Sequence, residues 1–249
     1  MTIEQDIKTK NAAEFETRQD DVFGRIADRY DLLCDLFSFG IHRIWKRRVA
    51  ALIAKENWAQ LLDCATGTGD IILRVVNHKK LNLNQKIIAS DISLQMLEIA
   101  KKRLLSTKEQ IEFQILDAHS LPSIPDESVD LYSISLGLKI CEREQVLKEA
   151  MRVLRPGGRF VSLEASNIPI KWLHKLYLLY MRLVMPIVGW LATGGDVSAY
   201  KYLLQGIEKF PTAEVLANEL SALGFEEVYF QRLTFGIVAI HVARKPSRI

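Results

Sequence analysis

The chain has 249 residues, 49% of them hydrophobic and 25% charged, with a formal net charge of +3. Such a chain buries a good globular core, and its near balance of charge gives no reason to expect nucleic acid as a partner. Cys34, Cys64 and Cys141 are too scattered for a disulfide framework or a metal cluster, and read as reduced thiols of a cytoplasmic protein.

Residues 1–20 are polar, with no apolar signal segment, and read as loosely ordered. Residues 21–249 read as a single domain. Over 21–56, aromatic, apolar and basic residues recur at helical spacing, which predicts two helices broken near Ser38-Phe39-Gly40. Strand-then-helix units follow: strands near 60–64, 86–90, 111–116, 129–135 and 159–164, with helices near 69–78, 93–105 and 142–153. Arg155-Pro156-Gly157-Gly158 reads as a tight turn between the last helix and strand. This alternation predicts an α/β fold with a mostly parallel sheet and helices on both faces. A helical insert rich in Tyr, Leu and Trp interrupts it at about 167–210. A helix over 213–223 and strands near 226–232 and 235–243 complete a seven-stranded pattern. The insert's longest charge-free run, Leu183 to Ala192, falls short of the roughly 20 residues that span a bilayer.

The most informative stretch is Leu61-Leu-Asp-Cys-Ala-Thr-Gly-Thr-Gly-Asp70. An apolar strand enters a Gly-x-Gly turn, where the missing Cβ atoms let backbone approach a ligand. A second strand ends on Asp91, about where dinucleotide folds place the acid that holds ribose hydroxyls. The third glycine of a dinucleotide fingerprint is absent, and no Gly-Lys-Ser/Thr follows. Asp70 puts negative charge where a phosphate would sit. A phosphate-free adenosine cofactor, S-adenosylmethionine, fits these features, and Asp63 is a candidate to help place its ammonium.

Ligands of open parallel sheets sit outside the carboxyl ends of the strands. The residues there are Gly67, Thr68 and Gly69, then Asp91 and Ile92, then Asp117 and Ala118, then Ser135, Leu136 and Gly137. Asp91 reads as the ribose acid, the alternative being a helix cap, a task for which Ser93 is equally suited. Asp117 reads as a turn residue or as an acceptor for the adenine amino group, with Ile92 and Ala118 as apolar walls. Ser135 lies under the methionine moiety or satisfies local backbone.

Several segments resemble the ubiquinone/menaquinone biosynthesis C-methyltransferase family: Val22 to Asp31, Ser38 to Arg47, Leu61 to Asp70, Leu154 to Glu164, Gly195 to Tyr202, Phe210-Pro211 and Leu233 to His241. The resemblance runs from about residue 22 to 245. It implies a Rossmann-like class I methyltransferase fold and cofactor contacts at Thr68, Asp91, Asp117, Ala118 and Ser135. It also implies C-methylation of a polyprenylated benzoquinol or naphthoquinol. One segment departs from the family: Leu136-Gly-Leu-Lys-Ile-Cys141 has Lys139 and Ile140 where the family carries Arg and Asn. Lys139 keeps the charge without the planar fork, and Ile140 loses donor and acceptor.

Methylating a ring carbon beside a hydroxyl calls for a base or a positive group near that hydroxyl. The candidates are His42, Lys139, Asp196, Tyr200 and Tyr202. The plainer readings are a helix-end histidine, a solvated lysine, a helix-capping Asp196 and two core tyrosines. Alternatives for the whole chain are O-, N- or C-methylation of another phenolic or polyketide-like acceptor, and a catalytically silent cofactor-binding subunit. Trp172, Leu173, Leu176, Tyr177, Leu179, Tyr180, Leu183 and Val184 form a broad apolar face beside Lys171, Lys175 and Arg182. That face reads as a lid packed on the domain or as peripheral membrane contact. Oligomeric state is left open.

Overall fold

The computed structural model describes residues 27–78, 81–105, 110–193 and 198–247, with side chains among these except at 191–193 and 198–202. The reading of residues 1–20, and that of Asp196, lie outside the described residues, and so do the side chains of Tyr200 and Tyr202.

Seven strands form one sheet: β1 (Gln60–Cys64), β2 (Lys86–Asp91), β3 (Ile111–Ile115), β4 (Val129–Ser135), β5 (Leu154–Ala165), β6 (Glu226–Leu233) and β7 (Val238–Arg244). Their order is β3-β2-β1-β4-β5-β7-β6. The first five are parallel, and β7 enters antiparallel between β5 and β6. The order reverses at β1, which sits between β2 and β4, so a crevice opens at the carboxyl ends of these three strands.

The central strands are buried on both faces because successive side chains alternate sides. Leu62, Tyr132 and Phe160 point into one core, where the Tyr132 and Phe160 rings stack with centroids 5.7 Å apart. That core packs on α5 (Arg143–Val153) and α8 (Ala213–Ala222). Leu61, Leu131 and Val161 point into the other, beneath α2 (His42–Lys55) and α3 (Asp70–His78). The remaining helices are α1 (Tyr30–Ser38), α4 (Leu94–Arg103), α6 (Lys171–Thr193) and α7 (Ser198–Lys209). The helical insert is thus α6 and α7, with Pro186 inside α6.

Two boundaries differ from the sequence reading. Arg155-Pro-Gly-Gly158 is an irregularity inside β5, which begins at Leu154. Gly157 has φ +77, its amide donates to the Lys245 carbonyl, and the β4–β5 register shifts there, so the glycine makes a bulge within a paired strand. Strand β7 starts at Val238, because Thr234–Gly236 form a short 3-10 turn in which Phe235 has φ +58.

Candidate functional site

The crevice holds a cavity of about 110 Å³. Eight of the sheet-edge residues read from the sequence line it: Gly67, Asp91, Ile92, Asp117, Ala118, Ser135, Leu136 and Gly137. Asp91 is held rigidly. One carboxylate oxygen accepts the Gly67 amide at 2.8 Å and the other the Ser93 amide at 2.9 Å. The capping role falls to Ser93, whose hydroxyl accepts the Met96 amide at α4. Asp117 accepts the amide and the ring Nδ1–H of His119, the latter at 2.5 Å. Burial pushes the Asp117 carboxyl up, but these hydrogen bonds outweigh it and leave it below its ordinary value. His119 Nε2 in turn accepts the Glu142 amide at 2.8 Å, which fixes the neutral Nδ1–H tautomer and ties this loop to the start of α5. Ser135 lines this cavity, and its hydroxyl is buried with no hydrogen-bond partner among the described residues.

Asp63, Thr68 and Gly69 do not line the cavity. Asp63 lies beneath the loop with both oxygens engaged, by the Ser133 hydroxyl at 2.5 Å and the Thr66 hydroxyl at 2.6 Å. Burial raises its pKa to about 6 in spite of these two hydrogen bonds. Thr68 is buried away from the cavity beneath α1, donating to Asp31 at 3.0 Å and accepting from Arg103 at 3.1 Å, while Arg103 also pairs with Asp31. This triad clamps α1 over the glycine loop and onto α4. The two glycines do different jobs. Gly67 (φ +55) has open space where a Cβ would stand. Gly69 (φ +75) seats the turn against α4, where a Cβ would come within 3.1 Å of Ala100 and Leu104. The Asp70 charge at the start of α3 is matched by Lys46 at 3.0 Å and Arg74 at 3.1 Å.

A second cavity of about 420 Å³ adjoins the first. Its walls come from α1, α2, α6, α7 and the ends of β5 and β7, and they are mainly apolar, with Phe37, Trp45, Met181 and Met185 among them. Tyr30, Leu136 and Leu203 line both cavities and mark where they meet. Leu136 (φ +59) and Ala65 (φ +51) are left-handed at the ends of β4 and β1, and both line the first cavity. Backbone of this kind, disfavoured for side-chain-bearing residues, concentrates where a site needs it.

His42 and Lys139 line the large cavity. The Ser38 hydroxyl has a single proton and donates it to the Cys34 carbonyl at 2.7 Å. Its 2.7 Å contact with His42 Nδ1 therefore has the imidazole as donor. That assigns the Nδ1–H tautomer and leaves the lone pair on Nε2. Burial lowers the His42 pKa, helped by the nearby Lys46 charge, so the ring is neutral near pH 7. Asp35 lies 3.8 Å from Nδ1.

Lys139 is a buried side chain and not a solvated one. The short turn Leu138–Ile140 folds it back so that its ammonium donates to the Leu136 carbonyl. It lies 4.0 Å from Glu164, which is fully buried and accepts the Leu138 amide at 2.6 Å. Burial lowers the lysine and raises the glutamate, each opposed by the other's charge. Ile140, from the same turn, lines the small cavity.

Sequence reasoning missed Tyr30, Ser38 and Leu203. Tyr30 and Ser38 lie inside segments that carry the family resemblance, which was the available signal. Leu203 looks like any core leucine until the chain is folded.

A sequence model of the ubiE/COQ5 methyltransferase family matches residues 11–245. A ubiquinone/menaquinone biosynthesis C-methyltransferase UbiE of Rickettsia bellii (strain RML369-C) is 38% identical over 242 residues, 96% of each chain. Its namesake in Rickettsia akari (strain Hartford) is 38% identical over 228 residues, 90% of this chain and 91% of that one. Solved structures share the fold at lower identity. A methyltransferase of Thermotoga maritima, described as a possible histamine N-methyltransferase, has 19% identity and a TM-score of 0.62 over 90% of this chain and 98% of its own. Human N-acetylserotonin methyltransferase, solved in complex with S-adenosylmethionine, has 21% identity and a TM-score of 0.57 over 85% of this chain and 55% of its own.

Proposed function

This chain belongs to the ubiE/COQ5 methyltransferase family, and from that premise we propose that it methylates a ring carbon of a polyprenylated benzoquinol or naphthoquinol with S-adenosylmethionine. The observation that carries the reading is the pair of adjoining cavities, one presenting Asp91 and Asp117 at the switch point of the sheet, the other larger and lined almost wholly by apolar groups, meeting at Tyr30, Leu136 and Leu203.

The small cavity's chemistry suits the cofactor. Asp91, already oriented by two amides, retains acceptor capacity for ribose hydroxyls. Asp117, held ionised by His119, is suited to accept from the adenine amino group. The unpartnered Ser135 hydroxyl suits the polar amino-acid end. Asp63 contributes from beneath by holding Thr66 under the loop. The cofactor supplies a methyl group on a cationic sulfur.

The protein's work is to orient the acceptor, exclude water and move one proton. In this reading His42 Nε2 takes the proton from the acceptor hydroxyl, and once the ring carbon carries the methyl group its displaced hydrogen leaves as a proton and the hydroxyl is restored, for one net proton released. Ser38 holds the imidazole in the required tautomer, and Asp35 at 3.8 Å favours the imidazolium once formed. The Lys139 ammonium supplies positive charge beside the developing phenolate. The apolar lining offers room for a polyprenyl tail and keeps water from the transfer.

The test is an assay of the purified full chain with labelled S-adenosylmethionine and demethylated quinol, with mass spectrometry of the product. The expected product carries one added ring-carbon methyl. Cofactor binding without product from any reduced quinone overturns the quinol assignment. Methylation at oxygen or nitrogen of another phenolic acceptor supports the wider methyltransferase reading in its place.

A further inference from the structure

The larger cavity shares walls with two neighbours, and α1 runs from one to the other. Tyr30, at the start of the helix, also lines the smaller cavity, whereas Phe39, just past its end, also lines an outer groove of about 540 Å³. Between them Cys34, Phe37 and Ser38 line the larger cavity at helical spacing. The nine-residue helix makes this run about 13 Å long. Opposite Phe39 stands Tyr180 of α6, the other residue that lines both cavity and groove. The two ring centroids are 6.3 Å apart, with planes tilted by 36°.

Beyond these rings the groove follows α6. Tyr180, Val184 and Val188 recur every four residues and form a strip about 12 Å long. The strip lies on the flank of α6 between Met181 and Met185, which are buried, and Leu179 and Leu183, which are more than half exposed. Leu36 and Phe39 complete the apolar lining, and the only charges there, Asp35 and Arg43, pair with each other through Nε at 2.7 Å. A groove whose charges cancel suits an uncharged chain. The backbone at its mouth is pinned, since the Phe39 and Gly40 amides both donate to the Asp35 carbonyl, Gly40 at 2.9 Å. Phe39 keeps φ +50 there with its side chain 76% exposed, so the part free to swing aside is the ring.

Volume decides what needs such an exit. The larger cavity measures about 420 Å³. At the packing density of protein interiors a substituted quinol ring needs roughly 150 Å³ and an isoprenyl unit roughly 115 Å³, so the cavity takes the ring and about two units. A longer chain has to leave, and one led away from the smaller cavity along α1 arrives at Phe39 and Tyr180. We propose that these two rings form the threshold by which an isoprenoid chain leaves the cavity, and that the α6 groove is a subsite for its third and fourth units. This rests on the quinol reading and deepens it, because selection by tail length then lies with Val184 and Val188, outside the cavity that takes the ring.

The test uses demethylated quinols with a four-unit tail that carry a photoreactive diazirine on the first unit or on the third. Each is irradiated with the full chain and S-adenosylmethionine, and peptide fragmentation locates the label. The first-unit probe is expected on Phe37 or Met181, and the third-unit probe on Leu36, Val184 or Val188. Val184→Asn/Val188→Asn should lower kcat/KM about tenfold for a four-unit acceptor. It should leave kcat/KM for a one-unit acceptor unchanged, which also shows that the variant folds. A third-unit label inside the cavity or away from the groove overturns the proposal, while a methylated product leaves the quinol reading standing. An equal effect of the variant on both acceptors overturns it as well. No methylated product and no label from any of these quinols overturns the quinol reading itself, and this proposal with it.

Discussion

The two cavities are built by different means. The smaller is made by backbone: strand ends, a glycine loop and carboxylates whose oxygens accept neighbouring amides. The larger is made by side chains from α1, α2, α6 and α7, elements up to about two hundred residues apart. Trp45, for example, donates to the hydroxyl of Thr234 at 2.7 Å across that distance. Local geometry therefore sets the smaller cavity, while the larger depends on how the helical cap settles on the sheet. Changes on one side should leave the other working, and the following variants test that separation.

The largest effect is expected at His42. His42→Ala should lower kcat by about 10²–10⁴-fold, the usual range for a lost general base, while calorimetry finds cofactor affinity unchanged. Because burial lowers the pKa of this histidine, the acid limb of the wild-type rate profile should lie below the ordinary histidine value near 6.5. A parallel loss of cofactor binding would break the division between the cavities.

Lys139 lines the larger cavity alone. Lys139→Met strands the Glu164 carboxylate in the core and should cost about 3–5 kcal/mol of stability near neutral pH. The penalty should shrink in acid as Glu164 takes up a proton, and Lys139→Met/Glu164→Gln should recover most of it in denaturant unfolding.

Asp63 gives a smaller effect with a definite sign. Its folded pKa of about 6 lies above the ordinary 3.8, so the folded state binds the extra proton between these values. Its contribution to stability is full below pH 4 and is lost as pH rises through 6, a swing of about 2–3 kcal/mol. Asp63→Asn should remove that part of the pH dependence, read from denaturant melts at pH 4 and pH 7.

The mildest variant sharpens the cofactor side alone. Asp91→Ala removes a charged acceptor and should weaken S-adenosylmethionine by about tenfold to a hundredfold, the range for a hydrogen bond to a charged group. His42 should keep its pH profile in the rate that remains.

The smaller cavity's rim was largely legible before folding, since a strand entering Gly-x-Gly and a second strand ending on an acid have only a few geometric solutions. Even there, residues next to one another parted company. Gly67 faces the cavity, Gly69 packs on α4 and Thr68 turns to Asp31 and Arg103. Lys139 read as solvated because a lysine after a strand commonly is. Its burial depends on Glu164, which lies 25 positions on in the next strand of the sheet. The turn at Arg155 to Gly158 read as a helix-to-strand connection, because Pro and Gly signal chain reversal equally well at a bulge.

Sequence by itself determined the strand-and-helix alternation, the glycine loop, Asp91 and the family, because each rests on residues close together in the chain. Only the tertiary structure decided which of the loop residues face a cavity, that Ser38 gives His42 its tautomer, and that α6 shows one apolar face inward and another outward. Those outcomes depend on which distant elements come into contact, and helical periodicity identifies an apolar face without naming what it meets.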